Sequence, residues 1–317
     1  MTWGEIIAKS SAYLDGKGVP DARVAAELLA ARLLRLGRGM LAGELEKEVS
    51  EKCLEAMRRG MTRLVKGEPV QYVLGEWDFR TLTLACDRRA LIPRPETEEL
   101  VTRVLKYLSA RNSRNVDKRL TTTDKGSSQP PKLSEHPEPS KPSLPSPPFI
   151  VDVGTGTGAI ILSLAREYKG DALFLGTDVS EDAIALAQAN AEKCGLADRV
   201  KFAVADGLDE FDEPGVVDVI VSNPPYIESA VCETLDSRVK DWEPRLALDG
   251  GASGLDFYDR YLGDALNILK PGGAVFFEIG ENQGEAVRQL MFDYGFERIA
   301  IEKDYAGRDR YASAFLP

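Results

Sequence analysis

Apolar positions recur three and four apart over the first 75 residues, while from residue 149 onward short apolar runs alternate with amphipathic ones. The first pattern predicts helices. Trp3, Ile6, Ile7 and Leu14 share one helix face. Pro20-Asp21 opens a second helix, with Asp21 as its N-cap and Val24, Leu28, Ala31 and Leu34 or Leu36 on its buried stripe. A third is predicted through Leu45, Val49, Cys53, Leu54, Met57 and Leu64, so a small helical bundle is expected. The stretch from Gly67 to Gly75 breaks this period. Trp77 to Leu84 then alternates and predicts a hairpin. Pro93 and Pro95 make an extended lead-in to a helix from about Pro95 to Leu108.

In the second pattern, strands are predicted at 149–154, 172–178, 200–205, 216–222, 274–280, 297–302 and 311–316. Helices are predicted at about 158–168, 181–194, 255–269 and 282–294. Strands interleaved with helices indicate an α/β domain with a mostly parallel, doubly wound sheet. No helix separates the last two strands, so an antiparallel edge is expected. Between the two patterns, residues 110 to about 148 hold eight of the eighteen prolines among Ser, Thr and Lys. Such a segment buries too little surface to offset its ordering entropy, and a disordered insertion is expected there.

Composition narrows the chemistry. No run approaches the roughly 18 apolar residues of a membrane span, and the start of the chain lacks a signal-peptide pattern, so a cytoplasmic protein is expected. Cys53, Cys86, Cys194 and Cys232 show no Cys-x-x-Cys spacing, which argues for free thiols. The only histidine, His136, falls in the Pro-rich stretch, which argues against a histidine base and a histidine-ligated metal; no metal is expected. A net charge of −11 without a dense Lys/Arg block argues against direct nucleic-acid binding.

Asn223-Pro224-Pro225-Tyr226 follows the buried-strand run Val216 to Ser222, at the strand end where open α/β sheets bind ligands. Two prolines stiffen the backbone and donate nothing, so local carbonyls are free to accept hydrogen bonds. The Asn223 side-chain oxygen adds an acceptor, and Tyr226 adds an aromatic wall. Such a pocket suits a planar –NH2 group on a carbonyl or a heteroaromatic ring.

Ile150 to Ala159 reads as a strand, a Gly-rich turn (Gly154, Thr155, Gly156, Thr157, Gly158) and a helix start. Glycines let the backbone approach a ligand, and the helix start offers unpaired N–H groups. Asp178, twenty residues beyond Gly158, ends the second strand and is placed for ribose hydroxyls; Asp206 ends the third and is placed for a base amino group. Asp152 is expected to help position the cofactor's methionine end through the Gly loop. Gly154-x-Gly156-x-x-Ala159 also fits a dinucleotide fingerprint. A nicotinamide enzyme would usually need an acid–base partner, and the sole histidine is misplaced for it. S-adenosylmethionine fits the paired carboxylates and the amino-nitrogen pocket better.

The chain resembles the protein-(glutamine-N5) methyltransferases that modify peptide-chain release factors, the PrmC/HemK family. The resemblance is carried by Gly67 to Gly75 with Pro69, Gln71 and Tyr72, by Ile92-Pro93-Arg94-Pro95-Glu96-Thr97-Glu98, by Asp152 to Gly158 and by Asn223 to Tyr226. It continues through Glu243 to Leu248, Gly254-Leu255-Asp256, Lys270 to Gly273, Glu278-Ile279-Gly280 with Gln283, and Asp304 to Arg310. It implies a Rossmann-like class I methyltransferase sheet of seven strands, mostly parallel with an antiparallel edge strand, preceded by a small all-α domain. The expected boundaries are a helical substrate-docking domain at 1–75, a hairpin connection at 76–92 and the methyltransferase domain at 93–317, with the insertion at about 110–148.

By the same resemblance, Asn223 and the Pro224 carbonyl orient the substrate glutamine amide, and Tyr226 packs on it. Gly154 to Gly158, Asp178, Asp206, Gly207 and Asn223 are expected to hold S-adenosylmethionine. The family's aromatic residue after the third-strand acid is here Gly207, which leaves adenine to be packed from elsewhere, with Leu208 the candidate. The implied partner is a release factor and the implied state a monomer. Rival expectations are a glutamine methyltransferase of a large-subunit ribosomal protein, a nucleic-acid amino-methyltransferase of the adenine N6 type, and a cofactor-binding relic that works as an interaction module.

Overall fold

The structure is a computed structural model that describes residues 1–122, 146–209, 211 and 213–317. His136 and most of the expected insertion lie outside the described residues. Two compact units divide the chain: Met1–Pro93 with Pro225–Gly254, and Arg94–Pro224 with Leu255–Pro317.

The first unit opens with helices α1 (Trp3–Asp15), α2 (Ala22–Leu34), α3 (Glu51–Val65) and the short α4 (Val70–Leu74). Their core joins Trp3, Ile7 and Leu14 of α1 to Ala26 and Leu29 of α2 and to Met57 and Leu64 of α3. Burying each such large side chain contributes roughly 1.5–3 kcal/mol. Gly60 lets α2 and α3 close up, because a Cβ there would come within 2.7 Å of Leu29 Cδ2.

Two local expectations needed correction. Asp21 precedes α2 with φ 48° and makes no side-chain capping bond. The third helix begins at Glu51, not near Leu45, because Ser50 accepts from the Cys53 amide and caps it there. Residues Arg38–Gly43 form a separate 3-10 turn.

Strands β1 (Glu76–Phe79) and β2 (Leu82–Ala85) form the predicted hairpin. Beyond it, sequence-distant motif residues meet within this unit. The Tyr72 hydroxyl donates to the Ala90 carbonyl at 2.7 Å, and Glu243, 5% exposed, accepts from the Ile92 amide at 3.1 Å. Tyr72, Cys86 and Ile92 pack with Trp77 and Trp242.

The second unit begins with α5 (Pro95–Thr122). Pro95 suits the first helical position, and Glu96 and Glu98 face the positive end of the helix dipole. The helix outruns the predicted end near Leu108 and enters the stretch expected to lack structure. The reason is local: no Pro or Gly occurs between Pro95 and Gly126, and all eight prolines of that stretch lie at or beyond Pro130.

Strands β3 (Phe149–Val153), β4 (Leu173–Asp178), β5 (Val200–Val204), β6 (Val217–Ser222), β7 (Leu269–Glu278), β8 (Glu297–Lys303) and β9 (Asp309–Phe315) follow. Between them run α6 (Ala159–Glu167), α7 (Glu181–Lys193), α8 (Asp256–Ile268) and α9 (Gly284–Asp293). The sheet order is β5-β4-β3-β6-β7-β9-β8. All neighbours are parallel except those of β9, which pairs antiparallel with both β7 and β8. This is the expected class I methyltransferase architecture. Strand order reverses between β3 and β6, and ligands bind at such a switch point, beyond the strands' carboxyl ends. No helix among the described residues is long and apolar enough to cross a membrane.

Candidate active site at the switch point of the sheet

The Gly loop leaves β3 and enters α6. Gly154, Gly156 and Gly158 have φ of 71°, 55° and 81°, a region L side chains rarely adopt. A Cβ at Gly154 would meet nothing within 4 Å, so that position stays open on one side. The Thr155 amide bonds to the Thr177 carbonyl at 2.8 Å, and Asn190, fully buried, donates to the Thr157 carbonyl at 2.9 Å.

Three predicted carboxylates end three adjacent strands, in very different settings. Asp152 is fully buried; its Oδ2 accepts from the Thr155 hydroxyl at 2.6 Å, and its Oδ1 has no hydrogen-bond partner. Burial pushes this carboxyl up to about 7 against the pull of the Thr155 bond. Asp178 accepts from the Gly156 amide at 2.9 Å and the Ser180 amide at 3.0 Å. Burial raises its pKa as well, with the amide bonds opposing. The Asp206 side chain is 63% exposed and is gripped by Arg260, whose Nη1 reaches Oδ1 at 2.7 Å. Arg260 Nη2 also donates to the Asp206 carbonyl and to Asp209.

Arg260 was not legible as a site residue, because it comes from α8, 54 positions away. It also bears on Gly207. That residue has φ 72°, and a Cβ would stand 3.2 Å from the Tyr261 ring and 3.3 Å from Arg260 Cζ. A side chain there would be strained by the backbone and crowded by α8. Leu208 is 2% exposed and already covered by protein.

On the other side of the switch point, Ser222 donates to the Val153 carbonyl at 2.6 Å and ties β6 to β3. Asn223 follows, half-buried, with Nδ2 donating to the Thr97 hydroxyl at 3.2 Å. Thr97 donates in turn to Glu278 Oε2 at 2.6 Å. Pro224 is buried, and no described group donates to its carbonyl.

The unit boundary falls directly after Pro224. Within the first unit, Pro225 and Tyr226 are clasped by Gly250, where a Cβ would come within 2.7 Å of the Pro225 carbonyl and 2.8 Å of Tyr226 Cα. The Gly250 amide donates to the Ile227 carbonyl, and the Ile227 amide donates to the Leu248 carbonyl.

The donor set fits S-adenosylmethionine. It offers an open Gly loop, one unpartnered buried oxygen on Asp152, and strand-end carboxylates at Asp178 and Asp206. Residues 149–294 match the family model of a methyltransferase domain. Fold and match together define an enzyme, an S-adenosylmethionine-dependent methyltransferase.

Residues 5–75 match the model of the PrmC N-terminal domain. A release factor glutamine methyltransferase of Moorella thermoacetica is 35% identical, covering 99% of this chain and 99% of its own length. One from Chlorobaculum tepidum is 33% identical over 96% and 94%. The human MTRF1L release factor glutamine methyltransferase is 31% identical over 97% and 85%. This chain belongs to the release factor glutamine methyltransferase family. Among solved structures, a ribosomal protein L11 methylase of Lactobacillus delbrueckii is similar at 18% identity and a TM-score of 0.38, covering 55% of this chain and 71% of its own.

Proposed function

We propose that this protein transfers a methyl group from S-adenosylmethionine to the side-chain amide nitrogen of the glutamine in the Gly-Gly-Gln motif of peptide-chain release factors. One observation carries the reading. Asn223 is anchored through its nitrogen, so at the C-terminal end of β6 its oxygen and the Pro224 carbonyl are left as acceptors, the pair a substrate –NH2 requires. The near full-length relatives named for release factors support the choice of substrate.

S-adenosylmethionine supplies an electrophilic methyl group on a sulfonium. An amide nitrogen is a poor nucleophile because its lone pair is shared with the carbonyl, so the protein's task is alignment and polarisation. Holding two reactants in line can be worth ~7–11 kcal/mol. Asn223 Oδ1 and the Pro224 carbonyl accept from the –NH2 protons, which draws density onto nitrogen and favours the charge that develops there. Pro225 stiffens the segment, and Tyr226, next in the chain, packs its ring on the amide. The cationic product nitrogen is strongly acidic and loses its proton to water or a carbonyl, so no dedicated base is needed.

In this reading the Gly154–Gly158 loop, Asp178, Asp206, Gly207 and Asn223 hold the cofactor. Asp152 steadies the loop through Thr155. The helical residues 1–75 serve as the docking piece for the protein substrate.

The decisive test is mass spectrometry of a release factor incubated with the enzyme and S-adenosylmethionine. One added methyl on the Gly-Gly-Gln glutamine is expected. Methyl transfer to DNA, RNA or a ribosomal protein, with the release factor unmodified, would overturn the proposal.

A further inference from the structure

Thr97 and Glu278 lie 181 positions apart and are joined by a hydrogen bond, and Thr97 also accepts from Asn223. Thr97 is 4% exposed and Glu278 2%. We propose that Thr97 and Glu278 are positioning residues that dictate which end of the Asn223 carboxamide faces the substrate. They do so through a hydrogen-bond chain of one direction, from Asn223 Nδ2 to Thr97 Oγ1 to Glu278 Oε2.

The direction follows from proton counting. An ionised carboxylate only accepts, and a hydroxyl carries one proton. While Glu278 is ionised, the proton of Thr97, whose Oγ1 stands 2.6 Å from Glu278 Oε2, is committed to the carboxylate. The Thr97 oxygen then faces Asn223 with lone pairs alone, and only an N–H end of the carboxamide satisfies it. A flipped Asn223 would set oxygen against oxygen. Asn223 Oδ1 is therefore turned away from the chain, as an acceptor for –NH2. This inference rests on the reading that Asn223 grips the substrate amide.

Both residues stand on elements whose neighbouring side chains are buried. Thr97 shares the buried face of α5 with Leu100, Val101, Val104 and Leu108. Glu278 ends β7 behind the fully buried Ala274, Val275 and Phe277, and the Tyr258 hydroxyl donates to its carbonyl at 3.0 Å.

The chain is also sensitive to pH. Burial pushes the Glu278 carboxyl up to about 7, assisted by the charge of Glu96 and opposed by the Thr97 bond and by Arg310 and Arg94. Tyr311 faces it from β9. Once Glu278 takes a proton it can donate to Thr97, whose own proton is released to face Asn223. Both orientations of the carboxamide are then tolerated, so orientation is enforced above this pKa and relaxed below it.

The test follows the Asn223 side-chain amide by 15N NMR of the full chain, with the signal identified by its loss in Asn223→Ala. The signal is expected to shift as pH falls from about 8 to 6, and to stop responding in Glu278→Gln. Thr97→Val should remove its protection from exchange, and Thr97→Ser should keep it. On release factor, Thr97→Val should lower kcat about tenfold with cofactor affinity within about twofold, and Thr97→Ser should restore it.

An Asn223 amide indifferent to pH, or unchanged in Thr97→Val, overturns the proposal. So does a Thr97→Ser enzyme no better than Thr97→Val. Should Thr97→Val fail to fold, the pH response in wild type and Glu278→Gln decides alone. A wild-type chain that shows the amide pattern without methylating release factor would sink the substrate reading and leave the relay standing.

Discussion

At the end of β6, Asn223 is held through a buried threonine by a buried carboxylate, while two strands away from β3, at the end of β5, Asp206 is mostly exposed and shared with Arg260. Both residues stand at the carboxyl edge of one sheet, the edge at which open α/β sheets bind ligands. Their difference is one of surroundings. Where water is excluded, a hydrogen bond has direction and a misplaced partner costs the full desolvation of a polar group. Where water is present, an ion pair is screened and its partners are replaceable. The tip backed by buried partners is thus suited to orienting a reacting group, and the exposed tip to a tolerant contact with a nucleoside.

The largest expected effect breaks the tip at β6 itself. Asn223→Ala should reduce methyl transfer by at least about a hundredfold, the size seen when a single polarising group is removed. Cofactor affinity measured by calorimetry should fall by no more than a few-fold, because Asn223 is one cofactor contact among several and the Gly loop, Asp178 and Asp206 remain; near-normal turnover would mean that another group orients the amide.

A smaller effect sharpens the comparison through pH. Asp152 is ordinarily near 3.8 and is pushed up to about 7 by burial in the folded protein. Its contribution to stability is fully present below about 4 and is lost as pH rises through about 7. From pH 6 to 8 this one group should cost about 1 kcal/mol of stability. Glu278 adds a term of the same sign. Urea denaturation at the two pH values measures the slope, and Asp152→Asn should flatten it. An unchanged slope would show that Asp152 is not charged at a cost.

The smallest effect belongs to the exposed tip. Arg260→Ala removes a partner from an exposed aspartate, so stability should change by less than about 1 kcal/mol, with only a modest change in cofactor affinity. A loss as large as that of Asn223→Ala would erase the contrast between the tips.

Much of this was legible beforehand because it is periodic or punctuated. All seven sheet strands and the four helices between them lie within a few residues of their predicted places, except that β7 begins at Leu269, five residues early. There it starts a separate pairing with Val217 before a register shift, which no alternation pattern could reveal. α5 outlasts its predicted end because the helix-breaking prolines of that stretch begin only at Pro130, past the helix. Thr97 and Glu278 each left a trace, a hydroxyl on an apolar helix stripe and a carboxylate closing an apolar strand, but nothing in the chain links one trace to the other.

The sequence by itself determined the sheet, the Gly loop, the strand-end carboxylates and the Asn-Pro-Pro-Tyr segment, because each is written in neighbouring residues whose geometry follows from local backbone preference. Only the tertiary structure decided which polar groups share a proton: that Asn223 answers to Glu278 through Thr97, and Asp206 to Arg260. Those pairings depend on distances across the fold and on the exclusion of water, and neither quantity exists along a chain until it is folded.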